Sequence, residues 1–383
     1  MSYKSNYDFD KIIDRKSTHS EKWDKYGDRD VIPLWVADMD FASPPAIVEA
    51  LREVTEKEVF GYAHVPDELN DVIIERLKTR HNWDVKREWL VWLPGLVPGI
   101  YTSCRAVGQD GDAVMTATPI YGHFYLGPQH SNREVQKIPM KVDEAGVHTL
   151  DFDAIRAAIT PKTKMFILCN PHNPNGRVYT KTELEELAQI CIENNIVICS
   201  DEIHCDLILD ETKRHISIGT ISQEIENQSI TLLAPSKTFN IAGLGCSLAV
   251  IPNEEIRKNF NRAKFGILPP VNCYAGVAAL AAYKHGEEWR LQLMDYLRGN
   301  HELVLNEINS IKGLKMAPLE ATYLAWIDVR ESETKNIVSV LEEAGVGVMD
   351  ASMFGSEGFI RLNFGTQQSL LEEALRRMKK ALS

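Results

Sequence analysis

The chain has 383 residues, 44% hydrophobic and 25% charged, an ordinary globular composition with length enough for two or three domains. Its formal net charge of -12 argues against a nucleic-acid or anionic-membrane surface, since both require a basic face. The seven cysteines (Cys104, Cys169, Cys191, Cys199, Cys205, Cys246 and Cys273) are odd in number, form no C-x-x-C pair, and lie partly in apolar runs such as KMFILC. That pattern suits reduced, buried thiols better than a disulfide framework or a zinc site. The opening MSYKSNYDFDK has no apolar core to serve as a signal peptide. No stretch approaches the ~20 apolar residues of a membrane helix. A soluble, cytoplasmic protein is expected.

The first helical pattern is PPAIVEALREVTEKEVF, behind a Ser43 cap and an early proline. PDELNDVIIERLKTR follows, with Leu69, Val72, Ile73 and Leu77 on one face. EWLVWL reads as a strand that ends at Pro94-Gly95-Leu96-Val97 before the helix PGIYTSCRAV. Short apolar runs then recur between helices: AVMTAT, KMFILC, IVICS, ITLLA and CSLAVI. Thr180 and Glu183 form a capping box that opens TELEELAQICIENN. Such alternation predicts an α/β fold with a mostly parallel sheet covered on both faces. After about residue 285 the texture changes to a long helix, EEWRLQLMDYLRGNHELVLNEI, then TYLAWIDV, a helix, GVGVMD, GFIRLNF and a last helix. The expected division is an N-terminal segment 1–45 shared with a small α+β domain at 286–383, and a large domain at 46–285.

In open parallel sheets, ligands bind beyond the carboxyl ends of the strands, so those junctions carry the chemistry. KMFILC runs into Asn170-Pro171-His172-Asn173-Pro174-Asn175-Gly176, a tight loop that by itself reads as a turn. IVICS runs into Asp201-Glu202-Ile203-His204; an aspartate buried there needs a cation or donors, or else caps local amides. ITLLA runs into Pro235-Ser236-Lys237. A lysine at that place either snorkels to solvent or sits desolvated with a lowered pKa, as carbonyl Schiff-base chemistry requires. The helix start after Gly95 offers amides for a phosphate, as any helix start does weakly. Arg361, within GFIRLNFG, calls for a carboxylate or phosphate, with a structural salt bridge as the competing explanation.

Singly these signals are weak, but their order along the chain resembles that of the fold-type I pyridoxal-phosphate enzymes over essentially the whole length. WVADMDF, YGHF, NPHNPNG, SDEIHCD and SKTFNIAGL together look like the MalY/PatB-type C–S lyases: cystathionine β-lyases and cysteine desulfhydrases related to cystalysin. The resemblance implies pyridoxal 5'-phosphate as cofactor, held by Lys237, which also removes the substrate Cα proton. It implies Asp201 at the pyridinium nitrogen, Asn173 at the phenolic oxygen and Tyr121 stacked on the ring. Gly95, Leu96 and Val97 would bind the phosphate, helped by the Ser236 hydroxyl. Tyr62 would reach the phosphate of the neighbouring subunit of a homodimer, and Arg361 would clamp the α-carboxylate of an amino-acid substrate. Two departures from the aminotransferase pattern stand out. His204 occupies the place of a tyrosine that touches the phenolic oxygen, and no phosphate arginine follows in Asn240–Gly245. Ala234 likewise replaces a common phosphate-binding serine.

Two decoys are set aside. GLGCSL has Gly243 and Gly245 but no third glycine and precedes a strand, so it is no dinucleotide fingerprint. Asp201, Glu202, His204, Cys205 and Asp206 would alternate faces on a strand and fail to converge on a metal. The expected function is α,β-elimination from cystathionine, cysteine or related S-conjugates, giving pyruvate, ammonia and a thiol. An aminotransferase, which shares every step up to the carbanion, is the alternative. A retired enzyme serving as a ligand-dependent regulatory protein is the third reading, disfavoured by the joint presence of Lys237, Asp201, Asn173 and Arg361.

Overall fold

The computed structural model describes residues 7–383. Seven short apolar runs form the central sheet: β1 (Leu90–Leu93), β2 (Ala113–Thr118), β3 (Glu134–Pro139), β4 (Thr163–Cys169), β5 (Val197–Asp201), β6 (Ser229–Leu233) and β7 (Ser247–Val250). They lie in the order β1-β7-β6-β5-β4-β2-β3. Only β7 runs antiparallel to its neighbours in this sheet. The main helices are α1 (Pro45–Thr55), α2 (Asp67–His81), α3 (Leu96–Ala106), α4 (Lys181–Glu193), α5 (Glu254–Lys264), α6 (Cys273–His285), α7 (Glu287–Asn309) and α8 (Gln368–Ala381).

Period-two alternation explains why helices cover both faces. From β4, Met165, Ile167 and Cys169 pack with Ile100 and Cys104 of α3. Phe166 and Leu168 point the other way, towards Leu184 and Leu187 of α4. Side chains on a strand alternate, so a continuous apolar run demands an apolar partner on each side. The capping box at Thr180 forms: its amide donates to Glu183 at 2.8 Å, and the Glu183 amide donates back to the Thr180 hydroxyl at 3.3 Å.

A second sheet joins β8 (Leu324–Asp328), β9 (Met349–Asp350) and β10 (Phe359–Asn363), all antiparallel, with β10 central. Leu324, Ile360 and Leu362 pack there with Leu297 of α7 and Leu371 of α8. Ile32 and Pro33 pair in parallel with Val346 and Gly347, and Phe9, Leu34, Met39 and Phe41 enter the same core.

Two expectations about helix ends need correction. Ser43 does not cap α1, whose N-cap is Pro44 and which ends at Thr55. Two prolines with fixed φ start that helix, and the Ser43 hydroxyl instead donates to the Asn240 carbonyl at 3.0 Å. Helix α3 begins at Leu96, earlier than the PGIYTSCRAV pattern predicts, with Gly95 as N-cap. Leu96 and Val97 therefore belong to its first turn, where backbone amides lack intrahelical acceptors.

Candidate active site

The carboxyl ends of β4 and β5, the start of α3 and the loop after β6 converge beneath the second sheet. They enclose a cavity of about 360 Å³ lined by Leu96, Val97, Tyr121, Asn173, Asp201, His204, Lys237 and Arg361. Eight of the sequence-derived candidates thus meet in one place. Gly95 and Ser236 adjoin it in the chain without lining it, and Tyr62 is fully exposed away from it.

Lys237 reaches inward. Burial lowers its ammonium to a pKa of about 8, with the Asp38 carboxylate opposing the shift and Arg361 adding to it. Its Nζ donates to the Ala37 carbonyl at 2.5 Å. The snorkelling alternative is therefore not realised. Asp201, only 5% exposed, accepts the Ile203 amide on Oδ1 at 3.0 Å. Burial raises its carboxyl to about 7, the Ile203 amide pulling the other way. A carboxyl so placed is short of a cationic or donor partner.

Arg361 is 3% exposed and enters no salt bridge among the described residues. It donates from Nη1 to Asn173 Oδ1 at 3.1 Å and from Nη2 to the Trp35 carbonyl at 3.0 Å. Its Nε has no partner among the described residues, and its guanidinium carbon lies 4.7 Å from the Phe354 ring centroid. Burial lowers its pKa to about 10. A buried guanidinium with spare donors is a ready receptor for a carboxylate. With Asn173 Oδ1 engaged, the amide nitrogen of that side chain is left for a ligand. His204 is buried, its imidazole pushed down to about 3 by desolvation and then by Lys237 and Arg361, and its Nδ1 has no partner among the described residues.

The acid-rich segment after β5 differs from expectation, since β5 ends at Asp201 and residues 203–206 form a turn. Alternation along a strand is therefore not what separates them. Glu202 lies 2.8 Å from His215 Nε2 and accepts from Ser200 and the Ile218 amide. Asp206 accepts from Arg76 at 2.6 Å.

Sequence reasoning missed Glu21, Trp35, Ala37, His123, Cys169, Met349, Met353 and Phe354, which also line the cavity. Two asparagines bring the N-terminal segment there. Asn240 donates to the carbonyls of Met39 and Phe41 and accepts from the Met39 amide, and Asn363 donates to the carbonyls of Val36 and Asp38. These side chains replace ladder partners for WVADMDF, which no periodicity signals.

Gly245 shapes the α3 entrance. Its φ is +68°, and a Cβ there would lie 2.6 Å from the Pro94 carbonyl oxygen, immediately before Gly95. Gly245→Ala is expected to destabilise the protein by roughly 1–3 kcal/mol in urea unfolding and to weaken anion binding at Leu96 and Val97. Wild-type stability in that variant would refute the packing argument.

The family described as aminotransferase class I and II matches residues 29–378. Cystathionine beta-lyase PatB of Bacillus subtilis is 35% identical, covering 98% of this chain and all of that protein. The crystal structure of OvoB superposes with a TM-score of 0.96 at 42% identity, covering 98% of this chain and 99% of that one. The PLP-bound C-S lyase of Staphylococcus hominis superposes at 0.92 with 32% identity, covering 99% of each. The chain belongs to the class I and II aminotransferase family, with the fold-type I architecture of pyridoxal-phosphate enzymes.

Proposed function

We propose that the protein is a pyridoxal-phosphate-dependent C–S β-lyase in which Lys237, Asp201, Asn173 and Arg361 form the working centre. The observation that carries this reading is their convergence on one cavity, joined to the full-length similarity to cystathionine beta-lyase PatB. Pyridoxal 5'-phosphate is the cofactor. The unmatched Asp201 carboxyl, the unpartnered Nδ1 of His204 and the free first-turn amides of α3 fit its ring nitrogen, ring oxygen and phosphate respectively. The cofactor, when bound, supplies the electron sink that lets the substrate Cα lose a proton.

The chain's own residues account for the rest. Arg361 holds the α-carboxylate and so fixes which Cα bond faces Lys237. With the substrate bound, the Lys237 amine would take the Cα proton; a pKa of about 8 keeps a useful fraction neutral. The Cβ–S bond then breaks with its electron pair on sulfur, which takes a proton from Lys237 or the Tyr121 hydroxyl. Burial raises the Tyr121 pKa, so the phenol is protonated and able to donate. Water completes the balance: conjugate plus water gives thiol, pyruvate and ammonia. Asp201 would hold the proton on the ring nitrogen. Gly95 and Ser236 support the phosphate from beside the cavity.

The test is pyruvate release from cystathionine and cysteine without an added keto acid. Exchange of amino groups that requires a keto acid, with no pyruvate, would favour the aminotransferase alternative.

The subunit is read as half of a homodimer, with Tyr62 reaching the partner's phosphate. Val59, Phe60 and Tyr62 are exposed together, as an interface strip would be in an isolated subunit. Monomeric enzyme at full activity in sedimentation would overturn this. The domain division at about residues 45 and 285 and a cytoplasmic location remain part of the reading. Seven free cysteines suit a reducing compartment.

The Asp201 assignment carries a pH signature. In the apoprotein its carboxyl stays protonated up to about 7, against an ordinary value of 3.8 when unfolded. Between those values the folded state holds the extra proton, so stability is fully present below about 4 and is lost as pH rises through 7. The thermal midpoint of apoprotein is expected to fall from pH 5 to 7.5 more than that of Asp201→Asn. Parallel curves for the two would remove the assignment.

A further inference from the structure

We infer that Tyr323 is a positioning residue for Lys237: its hydroxyl and the Lys237 amine share the Ala37 carbonyl, which is where that amine rests whenever it is free. This rests on the reading of Lys237 as cofactor anchor and base, and it adds a residue that serves the same nitrogen.

Tyr323 stands one residue before β8, where Leu324 pairs with Asn363 of β10. It is 1% exposed and does not line the cavity. Its hydroxyl donates to the Ala37 carbonyl at 3.1 Å, and Lys237 Nζ donates to the same oxygen at 2.5 Å. The flanking carbonyls of Val36 and Asp38 accept from Asn363 Nδ2 at 2.6 and 2.7 Å. The Phe364 amide in turn donates to the Tyr323 carbonyl at 2.9 Å. Two neighbouring side chains of the second sheet thus hold three consecutive carbonyls, and the middle one meets the lysine.

The backbone before Tyr323 points to a working role. Thr322, fully buried, has a φ of +74°. A β-branched residue is seldom found there, and strain of this kind collects at functional sites. The Thr322 amide donates to the Leu207 carbonyl at 2.8 Å. From that bend the Tyr323 ring lies against the His204 imidazole, with centroids 6.4 Å apart and planes at 81°.

The sharing has a chemical consequence. A carbonyl oxygen offers two lone pairs; Tyr323 takes one and leaves the amine the other. Lys237 Nζ has no further acceptor among the described residues. One acceptor serves a neutral amine with two hydrogens better than an ammonium with three, so the shared carbonyl favours the free base. Burial pushes the Tyr323 phenol far above its ordinary range, Asp38 adding and Arg361 opposing. Its hydroxyl therefore keeps its proton and stays a donor. The other groups whose charge bears on Lys237 are Asp38, Arg361, Asp201, Glu21 and His204, and removing the Tyr323 hydroxyl leaves all of them in place.

The first test uses apoprotein and follows trace acetylation of Lys237 against pH by mass spectrometry. The wild-type midpoint is expected near 8. In Tyr323→Phe the second lone pair becomes available to the ammonium, and the midpoint is expected to rise by roughly half to one pH unit, as one hydrogen bond gives. In holoenzyme, kcat for pyruvate release from cystathionine should fall roughly threefold to tenfold at pH 7 and recover to within about twofold of wild type at pH 9. A hydroxyl that served packing alone would lower kcat equally at both pH values. Tyr296→Phe is the control. It also loses a hydroxyl, one that donates to Asp10 at 2.6 Å and accepts the Gln368 amide at 2.7 Å, and is expected to lose stability with both profiles unmoved. An unchanged midpoint in Tyr323→Phe, or the same movement in Tyr296→Phe, would overturn the inference. Absence of pyruvate at every pH, beside a displaced apoprotein midpoint, would overturn the lyase reading and leave the Tyr323 assignment standing.

Discussion

Lys237→Ala is expected to lower turnover roughly 10⁴-fold or more and to remove the visible absorbance band expected of the wild-type holoenzyme. Two functions fall on one nitrogen. It would anchor the cofactor aldehyde and receive the Cα proton of the bound substrate. The environment explains why no neighbour can substitute. Burial lowers the Lys237 ammonium to about 8, whereas Arg361 stays charged at neutral pH and His204 lies near 3. An added small amine such as methylamine should restore part of the activity of the alanine variant, because the missing element is a base of suitable pKa in an intact cavity. Substantial turnover in Lys237→Ala without added amine would contradict the assignment.

Arg361 carries the second large effect. Arg361→Lys is expected to lower kcat/KM roughly 10²-fold and Arg361→Ala roughly 10³-fold, in line with about 2–5 kcal/mol for truncating a buried charge pair. The lysine variant keeps the charge but loses the planar fork that holds both carboxylate oxygens. The loss should shrink for a conjugate whose α-carboxylate is replaced by a carboxamide, since the contact being removed is then absent. An equal loss on acid and amide would mean that Arg361 acts only through Asn173 and Trp35, to which it also donates.

The legible part of this protein lies where local chemistry and chain order coincide. The strand runs before Asn173, Asp201 and Lys237 are apolar on both faces, so a loop of unusual composition, an acid or an amine at their ends is conspicuous. Arg361 stands out in β10 for the same reason. Glu21 carries no such signal: it sits in a polar stretch and reaches the cavity only because Asp40 anchors its helix through Lys22 and Trp23. Trp35 and Ala37 arrive through the side chains of Asn240 and Asn363, some 200 and 330 residues away in the chain. Asn240 manages this from a φ of +54°, a conformation asparagine tolerates better than most residues. Ser43 shows the reverse case, a residue whose cap signal is sound but whose hydroxyl serves a distant loop. Long-range hydrogen bonds by single polar side chains leave no periodic trace, and the outer wall of the site is built from them.

The proposed chemistry depends on one buried amine, Lys237, holding the cofactor aldehyde. Reduction of wild-type holoenzyme with sodium borohydride, followed by digestion and mass spectrometry, tests it most directly. A phosphopyridoxyl group is expected on Lys237 and on no other lysine. A label on a different lysine, or holoenzyme that takes up no label, would contradict it.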